Sequence, residues 1–418
     1  MNTIWDVIVI GGGASGMMAA VTAASLGRKV LILEKNPTLG KKLRITGGGR
    51  CNITNATFVN RQLLARYGEA SKFLFSTFAQ HSVNDSLNFF HQHNLPTKEE
   101  AERRIFPLSE KAEDVALLFE SLLQKYQVKV LTDITVSDLI QNTGQIVSVQ
   151  TNQGIFKGDN FIIATGGTSR PDTGSTGDGY SWLQKLGHTV IYPTPSLVPI
   201  VLKDTWVNSV SGLSLNDCPI NLYQDQKLFL KTKGKVLFTH QGLSGPSILN
   251  ISSIIGDGLQ HGIVTLKLNL TAQLKEEELN QNLAKLLIEN PNKLVKNILS
   301  NFIPAALALP VLDVCNLNVN TKANQVTRKD RHALISTVRG LPVEVSRLLG
   351  PEKAIIASGG LSLNEVDFKT MASKLYPNLF IIGDLLNINR PSGGYSLQLC
   401  WTTGYVAGVS SAQSVSAV

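Results

Sequence analysis

The sequence predicts an α/β protein in which one parallel-sheet domain is interrupted by a long insertion, and three observations predict it. The chain opens on a continuous apolar run, Asp6-Val-Ile-Val-Ile10, followed by glycines, a helical stretch from Met17 to Leu26 and a second apolar run, Val30–Leu33; this is a βαβ pattern with both strands buried. After Pro193 the texture turns to short strands broken by Gly, Asn and Pro, and then to a helical stretch. From Ala354 the apolar parallel-type runs return, so both ends of the chain belong to one sheet.

Taken in order, helical periodicity is expected over Leu63–Phe78, Val83–His93 and Val115–Tyr126, and strands over Val128–Leu131, Ile146–Thr151 and Phe161–Ala164. Within the insertion, strands are expected at Leu197–Leu202, Ile220–Tyr223, Lys235–Phe238 and Ile263–Leu268. Helical spacing follows over 271–310, where Glu276, Glu277 and Glu278 lie near a helix start and Leu279, Leu283, Leu286 and Leu287 share a face. The run Leu379-Phe-Ile-Ile-Gly383 reads as a last parallel strand.

At 418 residues the chain exceeds the ~250–300 at which single cores stop growing, so more than one domain is expected. No apolar run reaches the ~18 residues of a membrane span, and the start shows neither a basic n-region nor a cleavage site. Four scattered cysteines, Cys51, Cys218, Cys315 and Cys400, without a C-x-x-C pair, argue against a disulfide framework or a metal site. The expectation is a cytoplasmic protein, free of membrane. A net charge of +8 serves solubility or an anionic partner such as a nucleic acid. The sequence carries no signal for oligomeric state.

Gly11-Gly-Gly13-Ala14-Ser15-Gly16 matches G-x-G-x-x-G, follows a strand and opens a helix. Gly11 permits the tight turn, Gly13 lets the backbone approach a pyrophosphate, and Gly16 allows close helix–strand packing. Glu34, closing the second strand, is placed to accept ribose hydroxyls. That fingerprint serves FAD and NAD alike. The choice of FAD comes from strands running into Thr165-Gly166 and Gly383-Asp384, and from Gly393-Gly394-Tyr395 opening a final helix, whose N-terminus favours negative charge on a reduced flavin. The loop Lys41-Lys42-Leu-Arg44-Ile-Thr46-Gly47-Gly48-Gly49-Arg50-Cys51-Asn52 brings backbone donors and cations next to the same cofactor, or is a charged surface loop.

The motifs Glu34-Lys-Asn36, Gly40-Lys-Lys42, Thr46 to Asn52, Arg104-Ile-Phe-Pro107, Ala164-Thr-Gly-Gly167, Thr173-Gly-Ser-Thr-Gly-Asp-Gly179, Leu237 to Pro246 and Gly393 to Gln398 resemble the BaiN-like family of bacterial NAD(P)/FAD-dependent oxidoreductases, from residue 4 to about 410. More distantly, they resemble fumarate reductase flavoprotein subunits. The resemblance implies a Rossmann-type FAD-binding domain, 1–192 and 353–418, interrupted by a β-rich insert, 193–270 and 326–352, that carries a nested helical domain, 271–325. It adds Lys35, Lys42, Val130, Leu397 and Gln398 to the candidate FAD contacts and NAD(P)H as the electron donor. It also implies saturation of a carbonyl-conjugated C=C bond, either in uridine of large-subunit ribosomal RNA or in a small enone such as a bile acid. The chain departs from the family pattern at Ala357, Leu361, Asp384, Asn389-Arg390 and Ser396. Asp384 keeps the carboxylate; Asn389-Arg390 replaces acid by base near the flavin.

Cys51 is a candidate proton donor or a small buried residue beside the flavin. His240 is a candidate catalytic residue or a satisfied structural histidine. Arg50 and Arg104 are candidates to hold a substrate carbonyl or phosphate. Arg328, Lys329 and Arg331, with the cluster Lys227, Lys231, Lys233 and Lys235, are candidate RNA contacts or a solvated basic face, since no RNA-recognition motif is present. RNA as substrate is favoured; a small enone or dicarboxylate, and a non-catalytic FAD-bound redox sensor, are the alternatives.

Overall fold

Ile4–Ile10 forms the strand that the opening run predicts, and Val7–Ile10 are buried because the strand runs through the centre of a seven-stranded sheet. The computed structural model describes residues 3–354 and 356–414; Ile355, inside the returning apolar run, lies outside the described residues. Two compact units result, one holding the chain up to Ser196 and from Pro351 onward, the other Leu197–Gly350.

In the first unit the sheet order is Lys129–Leu131, Val30–Leu33, Ile4–Ile10, Gly154–Ile163, Gln145–Thr151 and Val136–Asn142, the first four parallel to one another. The ten-residue strand Gly154–Ile163 divides one edge between two partners. Its exposed first half closes an antiparallel hairpin with Gln145–Thr151, and its buried second half pairs in parallel with Leu379–Ile381. That pairing brings the C-terminal segment back into the sheet. The strand that leaves the sheet for the second unit, Val190–Ser196, pairs antiparallel with the strand that returns, Ile356–Leu361.

The helix Ala14–Ser25 packs against the last helix, Tyr395–Gln413, and small residues set how close they come. A Cβ on Gly404 would lie 2.5 Å from Ser15 O, and one on Gly408 would lie 2.7 Å from Ala19 O. Both helices are buried nearly all round, which is why neither shows a clean amphipathic pattern.

Two sequence expectations change here. Leu63–Phe78 is not one helix: Asn60–Leu64 and Ser71–Gln80 are separated by a 3-10 stretch in which Gly68 adopts φ 53°. A glycine inside a helical pattern is the costly residue at which such a break falls. The strand Val136–Asn142, whose outer positions are polar, carried too little periodic signal to be anticipated.

The second unit is a closed six-stranded barrel, in the order Ile200–Leu202, Gly242–Ser244, Lys227–Phe238, Ser214–Gln224, Val264–Leu268 and Leu341–Leu348. The leucine face of the helix Glu276–Glu289 (Leu279, Leu283, Leu287) belongs to the same continuous core as barrel residues Leu266 and Leu268. The helical stretch 271–325 thus packs onto the barrel through that shared core. Within 326–352, Arg328–Val338 is a helix opened by a capping box of Thr327 and Asp330, and Leu341–Leu348 after it is a barrel strand. Among the described residues no helix is long and apolar enough to cross a membrane.

Candidate functional site

The fingerprint builds one end of a trough. Gly11 adopts φ 104° at the strand-to-helix turn, where a Cβ would lie 2.6 Å from Ala164 O. At Gly16 a Cβ would meet Gly11 O at 2.0 Å, so only glycine lets the helix sit this close to the turn. Gly13 meets nothing within 4 Å and presents bare backbone to the trough. The helix starts at Ala14 without a side-chain cap, which leaves its first N–H groups and its positive dipole end free for an anion.

Glu34, buried at the end of its strand, is held from two sides. Its Oε2 accepts from Gly12 N (2.7 Å), and its Oε1 accepts from Asn36 N (2.8 Å) and Asn36 Nδ2 (2.7 Å). Lys35 Nζ pairs with Asp178 at 2.7 Å. Ile134, Thr135 and Val136 line the same end, and Trp182 also contributes. Lys42, Thr46, Thr165, Gly166, Asp384, Ser396, Leu397 and Cys400 line it as well. Burial alone would raise the Asp384 carboxyl, but the buried Arg390 guanidinium and Lys42, its Nζ 3.6 Å away, hold it below the usual carboxylate range.

Of the sequence-predicted FAD contacts, Gly11, Gly13, Ala14, Ser15, Glu34, Lys35, Lys42, Thr46, Thr165, Gly166, Asp384 and Leu397 line this trough, with Gly16 directly behind the turn. Others are placed elsewhere. Val130 pairs with Ile32 from the sheet's edge strand, and it is the segment after that strand that reaches the trough. Gly383 packs against the first helix, where a Cβ would lie 2.7 Å from Ser15 Oγ. Gln398 is fully buried in a network: its Nε2 donates to Ser86 Oγ (2.9 Å) and Thr402 Oγ1 (3.0 Å), and its Oε1 accepts from Thr54 Oγ1 (2.6 Å). Tyr395 packs edge-on against Tyr67 and accepts that residue's hydroxyl at its carbonyl.

The glycine loop folds away from the trough after Thr46. In the amide orientation its neighbours require, Asn52 donates to Thr54 O (3.0 Å) and Ile105 O (3.1 Å) and accepts from Gly394 N (3.0 Å). This fastens Gly393 and Gly394 to the loop side rather than to the trough wall. Gly47 and Gly48 take positive φ in the intervening turn. Arg50 lies over Phe106 at 4.3 Å and pairs with Glu100 and Glu110, so it is committed to its own acidic neighbours. Cys51 is fully buried and burial pushes its thiol up to about 12. Arg104 donates to Ala101 O at 3.0 Å.

His240, in the second unit, is exposed and shares a hydrogen bond with Asn208 Oδ1 at 3.2 Å. Arg328, Lys329 and Arg331 occupy the first turn of their helix, where cations oppose the dipole. Residues outside the candidate FAD contacts also build the site: Asn36, Ile134–Val136, Asp178, Trp182 and Cys400 line the trough, and Arg390 holds Asp384. A signal existed for Asp178: the Gly/Ser/Thr-rich turn Thr173–Gly179 reads as a ligand loop.

FAD fits these residues. Gly13 leaves the trough open where a Cβ would stand in it, and Thr165 Oγ1, buried at the wall, has no hydrogen-bond partner among the described residues. The set of an uncapped helix start, a buried carboxylate and a cation-flanked second carboxylate suits a dinucleotide with a pyrophosphate between two hydroxyl-bearing halves.

Comparison with known proteins agrees. The family described as HI0933-like protein Rossmann domain matches residues 5–410. A 3-dehydro-bile acid delta(4,6)-reductase of Clostridium scindens is 28% identical, with 97% of this chain and 98% of that protein covered. A ribosomal RNA dihydrouridine synthase of Haemophilus influenzae is 29% identical over 98% of this chain and 99% of that protein. Among solved structures, the 3-ketosteroid-delta4-(5alpha)-dehydrogenase of Rhodococcus jostii shares the fold, with a TM-score of 0.54 at 15% identity, covering 99% of this chain and 98% of that one.

Proposed function

This chain belongs to the HI0933-like Rossmann family and is a FAD-dependent oxidoreductase, and from that premise we propose that it saturates a carbonyl-conjugated C=C bond, with uridine in large-subunit ribosomal RNA as substrate and NAD(P)H as reductant. The observation that carries the reaction type is the end-to-end likeness to two relatives whose names describe such products, a dihydrouridine and a reduced bile acid. Uridine is preferred because the chain carries a net charge of +8, as a polyanionic substrate favours.

When bound, FAD supplies the hydride. The chain's own residues bind and orient it: Gly13, Ala14 and Ser15 offer backbone donors to the pyrophosphate, and Glu34 offers its remaining acceptor capacity to a ribose. Asp384, kept ionised by Arg390 and Lys42, offers an acceptor to the other half of the cofactor. The Cys51 and Cys400 thiols, both pushed up to about 12 by burial, are poorly matched to acid catalysis near neutral pH. The acid role considered for Cys51 is therefore not part of this reading.

The relative acting on a bile acid supports a small enone as the second reading. Anaerobic mixing separates the two. Protein with chemically reduced flavin is mixed either with a uridine-containing ribosomal RNA fragment or with a small steroidal enone, and flavin reoxidation is followed by absorbance. Reoxidation by the RNA with formation of dihydrouridine is expected; reoxidation by the enone alone would move the small-molecule reading to first place.

A further inference from the structure

We propose that the outer face of the barrel, centred on the strand Lys227–Phe238, binds single-stranded RNA. This deepens the RNA reading and rests on it. Side chains alternate across a strand, so Lys231, Lys233 and Lys235 all point outward, at intervals of about 7 Å, and the exposure pattern agrees: each is exposed, while Val236 and Phe238 are buried. Lys227 and Lys231 flank Phe229, which is 57% exposed at the bulge in this strand.

The basic face extends sideways. Asn221 lies opposite both Lys231 and Lys267 in register, so these three form one row across three strands. Lys267 Nζ stands 4.7 Å from the centre of the Tyr223 ring. Carboxylates close to this face are few. Asp217 lies 3.8 Å from Lys233, and Glu344, opposite Thr265, is paired with Lys203. Among the described residues, Lys227, Lys231, Lys235 and Lys267 make no ion pair.

A second feature adjoins the stripe. Lys233 is opposite Pro219, next to Cys218, and Cys218 lines a hollow whose polar wall is uncharged: the amides Asn216, Asn269, Gln273 and Asn301 with the hydroxyls Ser214 and Ser300, beside Phe302. Lysines attract phosphates without regard to sequence, an exposed aromatic offers a stacking surface, and neutral amides suit the donor and acceptor edge of an unpaired base. A rigid duplex has no unpaired base for the hollow, which is why the occupant is single-stranded.

The test uses the full-length FAD-loaded protein and a fluorescently labelled, unstructured, uridine-rich RNA oligonucleotide, with binding read by anisotropy across a salt series. The variant Lys231→Glu/Lys233→Glu/Lys235→Glu should bind at least tenfold more weakly, and its salt slope should shrink by about 2, since each phosphate contact on a single strand contributes about 0.7. The neutral variant Lys231→Gln/Lys233→Gln/Lys235→Gln should fall between. Flavin absorbance, circular dichroism and turnover of any small enone should be unchanged in both, which excludes misfolding. If the wild-type protein binds RNA and the reversal variant binds equally well, the surface assignment is overturned while the RNA reading survives. If the wild-type protein binds a duplex as tightly as the single strand, the single-strand assignment is overturned. Wild-type protein that binds no RNA removes the surface and the RNA reading together.

Discussion

Arg390, whose side chain is 1% exposed, donates from Nη2 to Asp384 Oδ1 and fixes a carboxylate that the C-terminal segment presents to the cofactor trough. The same guanidinium donates to Ile388 O (2.7 Å) and to Ser396 Oγ (3.0 Å), so it also stitches the loop that precedes the last helix. Removing one partner of a buried pair leaves the other charge uncompensated, at a cost of about 3–5 kcal/mol. Arg390→Met should therefore destabilise strongly and weaken FAD retention, and Asp384→Asn/Arg390→Met should be less destabilised than the single variant. Chemical denaturation with flavin release as a second readout checks this. A single variant as stable as the wild type would show that Lys42 suffices. The pH sign follows from the lowered carboxyl: its contribution is present above the unfolded carboxylate range and is lost as pH falls through the folded value.

His81 should make the first unit sensitive to mild acid. Its ring stacks on Tyr405 at 4.4 Å and its Nε2 shares a hydrogen bond with Ser86 Oγ at 3.0 Å. Burial lowers its pKa from 6.5 to about 4, only partly offset by Asp85. The unfolded chain binds the proton first, so stability is lost as pH falls from about 6.5 to about 4, by roughly 3 kcal/mol in total. Denaturation midpoints across that window should decline in the wild type and decline less in His81→Gln. Equal slopes in the two proteins would contradict the assignment.

Gly404→Ala should damage cofactor binding from a distance. The new Cβ would lie 2.5 Å from Ser15 O, and a backbone atom cannot yield as a flexible side chain can. Overpacking of this kind costs about 1–3 kcal/mol. Because Ser15 belongs to the helix start that lines the trough, FAD affinity should fall with stability, as measured by flavin release on dilution. Unchanged affinity would mean that the two helices pack with slack.

Cys51→Ala should leave flavin reduction and product formation within about twofold of wild type, because the thiol is buried off the trough wall with its pKa near 12. Stopped-flow absorbance for flavin reduction and steady-state product formation measure the two steps. Slowed product formation with normal flavin reduction would restore the thiol as the proton donor.

The half of the trough made by one continuous motif was legible in the sequence. Gly11 to Gly16 and Glu34 sit within one βαβ unit, where strand, turn and helix fix their geometry locally. What stayed hidden depends on contacts between distant segments. Gln398 reads as a cofactor contact because it follows Gly394, yet the helix turns it toward Ser86 and Thr54, more than 300 residues away in sequence, and those partners satisfy it. Arg50 sits in a glycine loop and reads as a free cation until Glu100 and Glu110 close on it. Arg390 reads as a departure from an acidic pattern, and only the fold shows its charge spent on Asp384. In the second unit, the alternation of lysines from Lys227 to Lys235 was visible as a cluster, but its single face required the barrel to define an outside.

The most direct test of the central claim is a mass-spectrometric map of large-subunit ribosomal RNA from cells with and without the gene for this chain. A dihydrouridine is expected in the parent, replaced by uridine in the deletion strain, and restored by the wild-type gene but not by one encoding Arg390→Met. An identical dihydrouridine content in parent and deletion strains would contradict ribosomal RNA as the substrate.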